Sequence, residues 1–151
     1  MAVQTVRRSA IKRASPPTKQ EGHPVTTTFG GGASPAQLAH YFEAKLSAEL
    51  GPHNVKRLLD ARADDIVVLD VRSREGYREG HLPGALNIPF EELPKRLSEL
   101  PKDKDIISYC WNVTCILCTK AAYILASKGY RAKEMLGGIE EWKKAGFPIE
   151  T

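Results

Sequence analysis

Apolar positions along the chain switch between two periods, and the switching sets the fold class. Over 36–50, Leu38, Ala39, Phe42, Leu46 and Leu50 recur at three and four residues. That spacing predicts an amphipathic helix capped by Ser34 with Pro35 in its first turn. Gly51-Pro52 ends it, and a short helix over 54–61 presents Val55, Leu58 and Leu59. The run IVVLDV, 66–71, is apolar without interruption apart from its acidic end, the mark of a parallel strand covered on both faces. A polar helical turn over 73–79, the connection GHLPG, a short strand over 85–88 and a helix over about 90–100 follow. DIISY, 105–109, reads as a second buried strand. A helix over 115–128 then turns Ala121, Ala122 and Leu125 inward, AKEML, 132–136, is a last strand, and GIEEWKKAG is a closing helix stopped by Gly146. Strand and helix alternate throughout, so the expected fold is α/β around a mostly parallel sheet, with no internal repeat.

Charge divides the chain in two. The formal net charge of +4 resides in residues 1–34, where Arg7, Arg8, Lys12, Arg13 and Lys19 face Glu21 alone, and the remainder is neutral. The same segment is rich in Pro, Gly, Ser and Thr and has no apolar period. We read 1–34 as a disordered basic N-terminal arm and 35–151 as one folded domain. The arm is either a solvated extension or an organelle transit peptide, because residues 1–20 are basic, hydroxylated and free of acid. A neutral body gives no reason to expect a nucleic-acid partner. No run approaches the ~18 apolar residues a bilayer requires, so no membrane partner is expected. The expected location is cytoplasmic, with an organelle as the alternative.

All three cysteines fall within nine residues, at 110, 115 and 118. An odd, clustered set does not make a disulfide framework and points to thiol chemistry in a reducing compartment. Zinc lacks ligands: Cys115 and Cys118 form one C-x-x-C, no second pair exists, and His40, His53 and His81 are scattered. No metal is expected. Cys110 stands at the carboxyl end of a buried strand, where sheets of this class bind ligands. The residues 111–114 must turn the chain into a helix, and their N–H groups have no ladder partner. Such amides, with a helix dipole behind them, form an anion site that favours a thiolate. The dipole contributes about 0.3–1 kcal/mol, or ~2 where partly buried, enough with the amides to bring a thiol from ~8.5 toward neutrality. The alternative is an inert cysteine acting as a small hydrophobe.

IVVLDVRSREGYREGHLPGALNIPFEEL carries Asp70, Arg72, Glu75, Tyr77, Gly80, His81, Pro83, Gly84, Ala85 and Pro89, and the second half carries Gly129, Leu136, Gly137, Gly138, Trp142, Gly146 and Pro148. With these residues at these spacings the chain resembles a single-domain rhodanese-like sulfurtransferase, a family that has them at the same places. The resemblance covers roughly 36–150 and implies a rhodanese-like sheet of about five strands flanked by helices on both faces. It implies a catalytic cysteine at Cys110, with Trp111, Asn112, Val113, Thr114 and Cys115 forming the substrate loop. The implied reaction moves sulfane sulfur from thiosulfate or a persulfide, through a Cys110 persulfide, to cyanide or a thiol acceptor. No cofactor is required, and a protein sulfur acceptor is possible. The loop has no glycine, and Cys115 stands where the family often has arginine, as in a subset with YCW and a second cysteine five residues on.

Rival activities leave specific marks. A phosphatase or arsenate reductase on the same scaffold needs an arginine to grip an oxyanion, and residues 111–119 contain none. A non-catalytic partner-binding module would have lost the cysteine. A redox or sulfur-carrier protein would use Cys110 and Cys115 as a pair. Cys115 is accordingly either a second catalytic, resolving thiol or a residue of the first helical turn; Cys118 reads as packing. Trp111 either walls the mouth or caps the core. Asp70 and Arg72 suit a structural pair, His81 an anchor for its turn, and Trp142 the core.

Overall fold

The computed structural model describes residues 32–151, so the expected arm lies, up to residue 31, outside the described residues. Five parallel strands form one sheet: β1 (Glu49–Leu50), β2 (Ile66–Asp70), β3 (Leu86–Asn87), β4 (Asp105–Tyr109) and β5 (Arg131–Met135), in the order β1-β5-β4-β2-β3. The helices are α1 (Pro35–Ala48), α2 (Pro52–Asp60), α3 (Arg74–Arg78), α4 (Leu93–Arg96), α5 (Leu117–Ser127) and α6 (Gly138–Lys144). The longest sequence runs became the central strands, as expected of β-branched segments buried on both faces.

Each face of the sheet has its own core. One gathers Leu93, Leu100, Ala121 and Leu125 against Leu69 and Ile106. The other sets Val55, Ile139 and Trp142 against Val68 and Ile107. Trp142 is fully buried, and its indole N–H donates to Pro148 O at 2.8 Å, which satisfies the one polar atom that burial would otherwise strand. Burying each such side chain contributes about 1.5–3 kcal/mol.

Three elements differ from expectation. The first helix stops at Ala48, and Glu49–Leu50 forms an edge strand paired with Glu134 and Met135 rather than a last helical turn. Among the described residues nothing covers its apolar stripe: Leu38, Phe42 and Leu46 are all exposed. The helix expected over 90–100 is a single turn followed by a 3-10 turn at Leu97–Glu99, because Pro89 and Pro94 limit helical hydrogen bonding. The helix after Cys110 begins at Leu117, two residues later than its pattern suggested.

The strand order reverses between β2 and β4. From β2 the chain moves outward to β3, and from β4 it moves the other way to β5. Ligand crevices in such sheets open at that point, beyond the carboxyl ends of the strands. Here a buried ion pair closes one side of it. Arg72 donates to Asp70 Oδ2 at 2.6 Å and to Gly80 O at 2.8 Å, the Tyr109 hydroxyl donates to the same carboxylate, and both charged groups are fully buried. The pairing places Asp70 and Arg72 in a structural role. His81 stacks on Tyr77 with ring centroids 3.7 Å apart, and its Nδ1 lies 3.0 Å from Tyr77 O, which fixes the turn before Pro83.

Removing one partner of a buried pair leaves the other charge uncompensated. Arg72→Leu should therefore lower unfolding free energy by about 3–5 kcal/mol, read by urea denaturation.

Candidate active site

Tyr109 is the last residue of β4, and Cys110 follows with its side chain directed into the core on the α5 side, beside Cys118 and Ala121. Two amides of α6 hold the strand's end: Ile139 N–H donates to Cys110 O at 3.0 Å and Glu140 N–H to Trp111 O at 3.1 Å. That approach requires Gly138. Its φ is +57°, and a Cβ there would sit 2.4 Å from Cys110 O and 2.8 Å from Trp111 O.

Asn112 shapes the turn that follows. Its Oδ1 accepts from Thr114 N–H (3.1 Å) and Thr114 Oγ1 (2.9 Å), its Nδ2 donates to Glu140 Oε1 (3.2 Å), and its carbonyl accepts from Cys115 N–H (3.2 Å). The Thr114 and Cys115 amides are thus engaged by Asn112 and not aimed at the sulfur, unlike the expected cradle. These bonds also carry the irregular chain on to Ile116, which explains the late start of α5. Trp111 lies across Gly76, where an added Cβ would meet its ring at 2.4 Å, and beneath the Arg72 guanidinium, 4.7 Å from the ring. Val113 and Thr114 are exposed at the tip.

The thiols converge. Cys110 Sγ is 3.2 Å from Cys118 Sγ, and as a thiol it donates to Cys115 O at 3.1 Å. Cys118 belongs to the first turn of α5, whose first intrahelical donor is Lys120 N–H to Ile116 O, so the Cys118 amide is free to act on the sulfur. The Cys110 thiol is pulled from 9 down to about 6. The Cys118 S–H donation is the largest cause, the Cys115 thiol and the Cys118 and Trp111 amides add to it, and burial opposes it. The bond from the neighbouring thiol thus outweighs the contribution of the helix-start amides. Cys118 is pushed up correspondingly, first by its bond to the Cys110 anion and then by burial. Cys115 is also raised, chiefly by burial.

Of the expected residues, the structure brings Cys110 and Cys115 together. It leaves Val113 and Thr114 facing solvent, uses Asn112 as a scaffold and sets Trp111 over Arg72. Cys118 is the residue the sequence pattern did not single out. No local pattern marks it: only the observed helix start at Leu117, two residues later than the periodicity suggests, sets the Cys118 thiol against the sulfur. Cys110 itself is fully buried, whereas Cys115 and Cys118 line an open groove of about 280 Å³ shared with Glu134 and Gly137. Cys110 therefore has no direct path to solvent in this structure. Among the described residues no helix is long and apolar enough to cross a membrane.

The rhodanese-like domain family model matches residues 44–145. The chain belongs to the rhodanese-like family. It is 35% identical over 95 residues to a sulfurtransferase of Allochromatium vinosum, a match covering 62% of this chain and 85% of that one. It is 41% identical over 88 residues to the HTH-type transcriptional regulator Rv0324 of Mycobacterium tuberculosis, covering 58% of this chain but only 39% of the regulator. Among solved structures, the BH2092 protein from Bacillus halodurans superimposes with a TM-score of 0.71 at 36% identity, covering 78% of this chain and 86% of that chain. Sulfur transfer is thus the activity found at the level of the family.

Gly138→Ala combines a left-handed backbone with a clash against main chain, and should cost about 1–3 kcal/mol of stability in urea unfolding. In a titration of thiolate absorbance, the difference between wild type and Cys110→Ser should rise as pH climbs through about 6, with the thiol below and the anion above. Cys118→Ala should move that midpoint upward.

Proposed function

We propose that the protein is a sulfurtransferase that takes sulfane sulfur from thiosulfate or a persulfide onto Cys110 and passes it to cyanide or a thiol, including a thiol on a protein acceptor. The observation that carries this reading is the Cys110 sulfur at the end of the central strand, held toward its anion by the Cys118 thiol and two amides. Family membership agrees with it.

The chemistry divides one difficult transfer into two displacements. The Cys110 thiolate attacks the outer sulfur of thiosulfate, the S–S bond breaks, and sulfite leaves with the bonding pair. An acceptor anion then attacks the outer sulfur of the persulfide and returns the electron pair to Cys110 Sγ. The donors that lower the Cys110 pKa also make it a better leaving group in the second step. Because the sulfur is enclosed, opening of the 111–116 turn precedes each encounter and water is kept from the persulfide between them. Three unpaired thiols suit a reducing, cytoplasmic setting.

Reduced protein mixed with sodium thiosulfate should release sulfite and pass sulfur on to cyanide as thiocyanate. Cys110→Ser should abolish both while retaining the wild-type circular dichroism spectrum. Thiocyanate production by Cys110→Ser would reassign the nucleophile.

A further inference from the structure

The transfer scheme uses Cys110 and leaves Cys118 only as a hydrogen-bond donor. That thiol is nonetheless the nearest nucleophile to the reacting atom. Its Sγ lies 3.2 Å from Cys110 Sγ, in a pocket where Cys110 has no solvent contact. The backbone holds it there: Ser108 Oγ donates to Cys118 O at 3.1 Å, tying the first turn of α5 to the strand that carries Cys110. Cys115 presents its carbonyl to the same sulfur and is the more exposed thiol.

We infer that Cys118 resolves the Cys110 persulfide, releasing sulfide and leaving a Cys110–Cys118 disulfide. This rests on the transfer reading above, since the persulfide must first form. Cys118 attacks the inner sulfur, Cys110 Sγ. An Sγ–Sγ bond forms, the bond to the outer sulfur breaks, and that sulfur leaves as hydrosulfide with the electron pair and takes up the proton lost from Cys118. The two cysteines are oxidised from dithiol to disulfide, and the sulfane sulfur is reduced to sulfide. No further oxidant is needed. A low-molecular-weight thiol then reduces the disulfide by exchange and restores the site.

The resting pair is protected from premature reaction by the charge it shares. While Cys110 is an anion, its bond to Cys118 keeps the Cys118 proton in place. Once Sγ carries a second sulfur, the negative charge moves to the outer atom, that restraint is lifted, and Cys118 can ionise and attack. Proximity then favours the internal thiol over a dilute external one. The site thus discharges as sulfide when no acceptor enters, and stays arrested until a thiol reduces it.

The test uses the full-length chain, fully reduced, in anaerobic thiol-free buffer with sodium thiosulfate. Wild type, Cys115→Ser and Cys118→Ser are compared for sulfite, sulfide and intact mass. Wild type and Cys115→Ser should release one sulfide per chain and end two hydrogens lighter than the reduced protein, and dithiothreitol should reverse the mass change. Cys118→Ser, in which Cys110 loses its thiol donor, should load more slowly, but at the end point it should keep the mass of one added sulfur and yield it to cyanide as thiocyanate. If wild type keeps the added sulfur and releases no sulfide, the resolving step is overturned while transfer stands. A disulfide formed in Cys118→Ser but lost in Cys115→Ser overturns it in favour of Cys115. Absence of sulfite from every chain removes the transfer reading and this step together. Should Cys118→Ser not fold, Cys118→Ala serves in its place, and the sulfide and mass of wild type and Cys115→Ser still decide.

Discussion

The first turn of α6 lies so close to the peptide joining Cys110 to Trp111 that only a hydrogen fits on the α-carbon of Gly138. Its two amides accept no substitute, since they bond the carbonyls of Cys110 and Trp111 directly. With both carbonyls turned toward α6, Cys110 is left with one direction for its side chain, into the core beneath α5. Trp111 is sent the other way, onto Gly76 and Arg72. The enclosure of the Cys110 side chain and its meeting with Cys118 therefore descend from a backbone contact made by a residue that touches neither sulfur.

That arrangement resolves a conflict inherent in burying an anion. Removal from water disfavours the thiolate, and the Cys115 carbonyl at 3.1 Å favours the protonated form. Opposing them are the Cys118 thiol first, then the Cys115 thiol and the amides of Cys118 and Trp111. The Cys118 thiol is the largest of these and takes the complementary upward shift itself. One negative charge is shared within the cluster, and its place is set by which sulfur receives the most hydrogen bonds.

Much of this fold was legible because its largest elements depend on burial that the sequence encodes directly. IVVLD and DIISY could hardly be other than interior strands, and Trp142 and His81 took the core and turn roles their surroundings implied. The features that were not legible depend on contacts between distant segments. Glu49–Leu50 is a strand only because Glu134 and Met135 offer an edge, and nothing local separates it from a fraying helix. The stripe Leu38, Phe42, Leu46 has helical spacing, yet periodicity reports an apolar face and not what covers it. At the site, the place of Cys110 followed from the strand's end. The shape of the turn did not, because Asn112 satisfies the chain with its side chain and delays the helix by two residues. That small delay exchanges the positions of Cys115 and Cys118 relative to the sulfur.

The exchange has a kinetic consequence for any sulfur acceptor. Under the transfer proposed above, a persulfide on Cys110 would stand between two nucleophiles: the internal thiol of Cys118, held at contact distance, and an external one that has to reach a buried sulfur. In that scheme Cys118 would attack the inner sulfur and an external acceptor the outer sulfur, so the two would draw on different electrophilic atoms and yield different products, sulfide or transferred sulfur. Which prevails depends on how long the turn stays closed relative to ionisation of Cys118, because the internal route needs no opening. An acceptor that docks on the groove beside Cys115 and Glu134 and draws the turn outward would gain twice, by reaching the outer sulfur and by separating Cys118 from Cys110. Selectivity for sulfur acceptors can therefore reside in the ability to open this turn rather than in affinity for the persulfide itself.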